Sequence, residues 1–162
     1  MVSMDISFEK RNHLFRIILT VISILLLYFI SIRPVRMKFN SEILYPKFSK
    51  IAENHNTKII QSARRINILP KNSDLPRGFG IPFGGYFWLP LSLFFITSNK
   101  KGYKILISYH IFLAIIPPFL AWLFIKGQLW AGTLLEVNEM MFTLFFLLFL
   151  YVGIKDTHRF IR

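Results

Sequence analysis

Apolar residues in this chain gather into four blocks separated by polar, mostly basic stretches. The first block, 14–32, is interrupted near its start by Arg16. At about 1.5 Å per residue it approaches the ~30 Å of bilayer hydrocarbon, and Arg16 can snorkel to the interface. Lys10 and Arg11 precede this block, as in a signal peptide. The run is long, however, and ends in Ser31-Ile32-Arg33-Pro34 with no small-residue cleavage pattern, so it reads as an uncleaved anchor. The second block, 81–98, contains Pro90; the third, 105–125, contains Pro117-Pro118; the fourth covers 137–154. Proline inside such a span should bend it or open its backbone hydrogen bonding. The pattern predicts an all-α integral membrane protein with four transmembrane helices, a polar tail over 1–13 and a basic tail over 155–162.

Between the first and second blocks lies a segment, 33–80, of a different kind. From Arg33 to Arg77 it holds ten Lys/Arg and three acids. Phe48, Ile51, Ala52, His55, Ile59, Ala63 and Ile66 recur at helical spacing, with Lys47, Lys50, Lys58 and Arg65 largely opposite. Pro46 suits a first helical turn. A basic amphipathic helix is therefore predicted over about 46–66, and Asn54-His55-Asn56 is its weak point. Residues 71–77 have the composition of a loop.

The stretch Gly78 to Pro90 joins this segment to the second block. Gly78, Gly80, Pro82, Gly84 and Gly85 exclude a regular helix through its first half. Tyr86, Phe87 and Trp88 then supply rings that favour the water–lipid boundary. It reads as the point where the chain re-enters the bilayer. The glycines lack the spacing and the Lys-Ser/Thr of a phosphate loop, and Pro82 spoils Gly80 and Gly84 as a helix-pairing motif.

Composition sharpens this picture. Of 162 residues, 54% are hydrophobic and 18 are Phe, too apolar and too blocked for a soluble domain of this length. A net charge of +12 on a soluble chain would suggest nucleic acid. Here the cations flank apolar blocks, so anionic headgroups of the lipid bilayer are the simpler partner, and no nucleic-acid partner is expected. With no Cys, thiolate chemistry and Cys-ligated metal are excluded. His13, His55 and His158 are isolated, so neither a metal site nor any other cofactor is expected.

Three groups of residues carry candidate chemistry. Glu136 and Glu139, at i and i+3, share a helix face at the mouth of the fourth span. They fit a cation or proton site, a pairing with basic residues, or carboxylates resting in headgroup water, which is the default. His110 lies inside the third span and would suit a proton carrier. Antiparallel spans would set it toward the opposite face from Glu139. Lys58, Arg64, Arg65 and Arg77, with Ile51 and Ile59 on the apolar stripe, form a surface for headgroups or a partner.

These features favour a small non-enzymatic membrane protein, an accessory or scaffold subunit that docks on a membrane protein partner through its basic segment. An enzyme acting on a lipid-linked phosphate, with Arg64, Arg65 and Arg77 as phosphate ligands, is the alternative. An ion or proton-coupled transporter ranks last, because no acid lies deep in a span. Four crossings place both termini on one side, with the basic turn 99–104. The positive-inside rule makes that side the cytoplasm, in a bacterial inner membrane, although the charge of 33–77 opposes it. A reporter fused after Arg162 is expected to read cytoplasmic; a signal from the opposite side would reverse the orientation.

Overall fold

A computed structural model describes residues 2–62, 65–70 and 76–161, with side chains between 15 and 158 in those ranges. Ala63, Arg64 and residues 71–75 lie outside the described residues. The chain is mostly helical. Three helices have the length and composition to cross a membrane: Phe15–Glu53, Lys100–Ile125 and Leu129–His158.

The first of these does not stop at Pro34, where the sequence pattern ends its span. It runs as α1 (Val2–Leu27), α2 (Arg33–Phe39) and α3 (Tyr45–Glu53), joined by π-helical turns at Tyr28–Ile32 and Asn40–Leu44. Each wide turn stands just before a proline, Pro34 and Pro46 respectively. A proline in a regular helix clashes with the carbonyl four residues back and leaves it without a donor. Here the Arg33 N–H reaches back five residues to the Tyr28 carbonyl, and the Tyr45 N–H to that of Asn40. The widened turn makes room for the ring, and the rod continues.

α3 ends at Glu53, so the helix expected over 46–66 is half strand. Asn56 adopts a left-handed conformation (φ 51°), a stop that asparagine tolerates better than most residues. Beyond it, β1 (Thr57–Ser62) and β2 (Arg65–Pro70) pair antiparallel, and β3 (Arg77–Gly80) pairs with β2. The all-α expectation is corrected by this three-stranded sheet, ordered β1-β2-β3. Ile59 and Ile66 satisfy helical spacing in sequence, yet alternation on a strand puts Ile66 on one buried face with Ile68. β-Branched side chains suit that surface.

Gly78 and Gly80, expected at a bilayer re-entry, belong to β3. Gly78 stands opposite Asn67, and a Cβ there would collide with the Ile66 carbonyl oxygen. The extended turn 81–84 follows, then α4 (Gly85–Ile96), α5 (Lys100–Ile125) and α6 (Leu129–Ile161). α4 has 12 residues, about 18 Å, short of a bilayer's hydrocarbon by itself. α5 is capped by Asn99, whose side chain accepts from the Gly102 N–H at 2.8 Å, and continues through Pro117 and Pro118.

Two cores result. At the α5–α6 turn the sheet and α3 cover the hairpin: Phe48, Ala52, Ile66, Ile68 and Phe79 meet Leu120, Ala121, Phe124, Ile125, Ala131 and Leu135. Fully burying residues like Ile66 and Ile68 contributes roughly 1.5–3 kcal/mol each. At the other end Phe87, Phe94, Leu106 and Phe149 join α4, α5 and α6. Around them α1, α5 and α6 expose a belt that includes Leu19, Ile22, Phe112, Ile115, Leu144 and Leu148, as lipid-facing helices do.

Gly78→Ala should separate β3 from β2 and lower the melting temperature in detergent by several degrees, since overpacking costs about 1–3 kcal/mol. Gly85→Ala is the control: its Cβ would sit 3.8 Å from Tyr28 Cε1, in ordinary contact. Equal midpoints for the two variants would contradict the role of Gly78.

Candidate functional site

Four of the residues that the sequence marks for chemistry, Arg65, Arg77, Glu136 and Glu139, converge where the sheet meets α6. Arg65 begins β2 and Arg77 begins β3. Arg65 forms a two-pronged pair with Glu139: Nη2 donates to Oε2 at 2.7 Å, and Nη1 meets Oε1. Arg77 Nε lies 2.8 Å from Glu136 Oε1, an ion-pair contact whose N–H is not aimed as a hydrogen bond. Glu136 and Glu139 do share one helix face, and that face meets the sheet.

Gly132 makes this approach possible. It stands one turn before Glu136, and a Cβ on it would fall 2.6 Å from the Phe124 ring and 2.8 Å from Arg77 Nη1. Arg77 therefore lies across the bare backbone of α6, its guanidinium 5.8 Å from the Phe124 ring centre. Both ion pairs are partly exposed, so each contributes about 0–1 kcal/mol and mainly fixes orientation.

The second cluster surrounds the turn 81–84. Arg36, in α2, donates from Nε to the Pro82 carbonyl at 2.8 Å and from Nη1 to the Tyr28 hydroxyl at 3.0 Å. Its Nη2 bonds the Ile81 carbonyl. Gly84 packs against the same guanidinium. Phe83, between these groups, has a left-handed backbone (φ 59°), a conformation that costs a bulky residue about 1–2 kcal/mol. The Trp88 indole N–H donates to the Phe83 carbonyl at 3.1 Å and helps hold it there. Pro82, Gly84, Gly85 and Trp88 thus build a latched turn at the head of α4.

His110 is buried beside this turn, 3% exposed. Its Nδ1 lies 3.0 Å from the Leu106 carbonyl, so the proton sits on Nδ1. Phe87 and Phe83 pack on the ring at centroid distances of 4.6 and 5.6 Å, and Phe142 at 6.5 Å. α6 starts at Leu129, before the expected 137, and the residue it brings against His110 is Phe142, three positions after Glu139. Glu139 is engaged with Arg65, and the surroundings of His110 are aromatic.

Of the other predicted contact residues, Lys58 is exposed on β1, while Ile51 and Ile59 pack against the sheet core. Sequence reasoning missed Arg36, Tyr28, Asn40 and Phe83. Asn40 is 1% exposed and donates from Nδ2 to the Ser62 carbonyl at 3.1 Å, tying the first helix to the end of β1. The available signal was the recurrence of Tyr28, Arg36 and Asn40 at eight- and four-residue spacing across Pro34. Among the described residues no three His, Asp or Glu gather into a metal-binding group.

The chain matches no known family model, no curated protein and no solved structure.

Arg36→Lys tests the latch. A single ammonium cannot serve both carbonyls and the Tyr28 hydroxyl in the planar fork that arginine provides. Losing about 2 kcal/mol of charge-assisted bonding should lower the melting temperature in detergent by roughly 4–8 °C. Arg33→Lys, which alters a guanidinium 5.6 Å from the Phe29 ring, should move it far less. Equal shifts would refute the latch.

Proposed function

We propose that this chain is a small, non-enzymatic integral membrane protein that serves as an accessory or scaffold subunit of a larger membrane complex. The sheet unit is its docking surface outside the bilayer. The observation that carries this reading is the seam between sheet and hairpin. Arg65 and Arg77, candidate phosphate ligands by sequence, pair there with Glu139 and Glu136, candidate ion ligands by sequence. Those four charges orient a platform, which weighs against a lipid-phosphate enzyme and against a transporter.

The platform turns outward a strand edge and cations. β1 stands at the edge of the sheet, with Lys58 and Ile60 exposed along it. Lys47 and Lys50 are exposed on the adjoining α3. An open edge accepts an extended segment by main-chain pairing, and flanking lysines favour an acidic one. In this reading the chain crosses a bacterial inner membrane four times. The latched turn and α4 make up the second crossing, and both termini lie in the cytoplasm.

Purification from native membranes in mild detergent tests the proposal. The unmutated chain should retain a stoichiometric membrane partner. Lys58→Glu combined with Ile60→Asp should release that partner while leaving the melting temperature of the purified chain within about 2 °C, as surface changes usually do. A chain that purifies alone and turns over a lipid-linked phosphate would replace this reading with the enzymatic one.

A further inference from the structure

An open slot of about 270 Å³ lies between α1, α4 and α5, lined by Ile24, Leu27, Trp88, Leu91, Phe95 and Tyr103. Its lining is almost wholly apolar. The one indole donor in it, Trp88 Nε1, is already bonded to the Phe83 carbonyl. Trp88 and Phe95 are seven residues apart on α4, so the slot extends for about 10 Å along that helix. Tyr103, on the second turn of α5, lines it and is 41% exposed. Lys100, one turn before Tyr103 on the same face, and Lys104, next to it, are both exposed. Neither faces an acid in a described ion pair.

The geometry points to this slot as a binding site for one acyl chain of an anionic glycerophospholipid, with the phosphate at Lys100 and Lys104. The apolar lining accepts the chain but cannot select a headgroup, because lipid tails are as apolar as the side chains they touch. Selection falls to the lysines, which attract a phosphodiester carrying net negative charge more than a zwitterion. An aromatic ring at the mouth suits the boundary between tail and headgroup. The slot is separate from the sheet edge, so this site stands or falls independently of the docking proposal.

Trp88, in the lining, supplies its own probe. In a variant with Trp122→Phe and Trp130→Phe, its fluorescence reports on that position alone. The chain is reconstituted in phosphatidylcholine vesicles containing small fractions of mid-chain-brominated phosphatidylglycerol or mid-chain-brominated phosphatidylcholine. Brominated phosphatidylglycerol is expected to quench Trp88 at mole fractions at least about fivefold lower, one lysine near an anionic group being worth roughly that factor. Lys100→Gln with Lys104→Gln should erase the difference. Equal quenching by the two lipids would mean ordinary bulk contact and overturns the site. So does a preference that survives the double lysine change. Quenching by neither lipid would mean that a partner helix or a second copy of the chain fills the slot, and also overturns it. A variant retaining only Trp130, in the first turn of α6, should show no preference that depends on these lysines.

Discussion

The guanidinium of Arg36 is the contact on which the arrangement of the rest depends. It holds two successive carbonyls, those of Ile81 and Pro82, and the hydroxyl of Tyr28. Upstream, that position requires a helix that does not break at Pro34, and the π turn before it meets the requirement. Downstream, it fixes the direction in which the chain leaves β3. Phe83 is held in a backbone conformation it would not choose, and α4 starts against Tyr28, whose ring stacks 6.3 Å from that of Trp88. A cation carrying this many hydrogen bonds beside an apolar bundle is tolerable because its donors meet oxygen atoms.

The sheet is attached to the hairpin by a different combination of forces. Its apolar face supplies the adhesion, through Ile66, Ile68 and Phe79 against Leu120, Phe124 and Leu135. The pairs Arg65–Glu139 and Arg77–Glu136 add little energy but determine where along α6 the sheet rests. Gly132 lets Arg77 cross the helix at the height this register needs. Burial and charge thus divide the work, one setting strength and the other position.

What the sequence revealed followed the range of its signals. Blocks of apolar residues are local and continuous, and they correspond to the three long helices and to α4. Helix starts lie outside the blocks: Asn99 caps α5 before Ile105, and α6 gains two turns before 137. The amphipathic helix over 46–66 was misread because Ile51, Ile59 and Ile66 fit a period of 3.6, while the true spacing changes at Asn56 from helix to strand. Both members of each ion pair were visible as candidates, but no local pattern links Arg65 to a carboxylate 74 positions away. Arg36 was one cation among ten in its segment. Its importance comes from two carbonyls, and backbone acceptors leave no mark in a sequence.

The order of the elements along the chain has a consequence for how the molecule is made. All three strands precede α5 and α6, yet the surface they cover is built from Leu120 to Leu135, and their carboxylate partners come later still. As the chain emerges from the ribosome, the hairpins of the sheet can close on local contacts while Ile66, Ile68 and Phe79 still lack their counterpart. α6, the last helix in the chain, is also the one that completes the surface on which the sheet rests. A nascent chain halted before Leu129 would carry Leu120, Ala121, Phe124 and Ile125 but lack Ala131 and Leu135, so the apolar face of its sheet would be only half covered until α6 arrives.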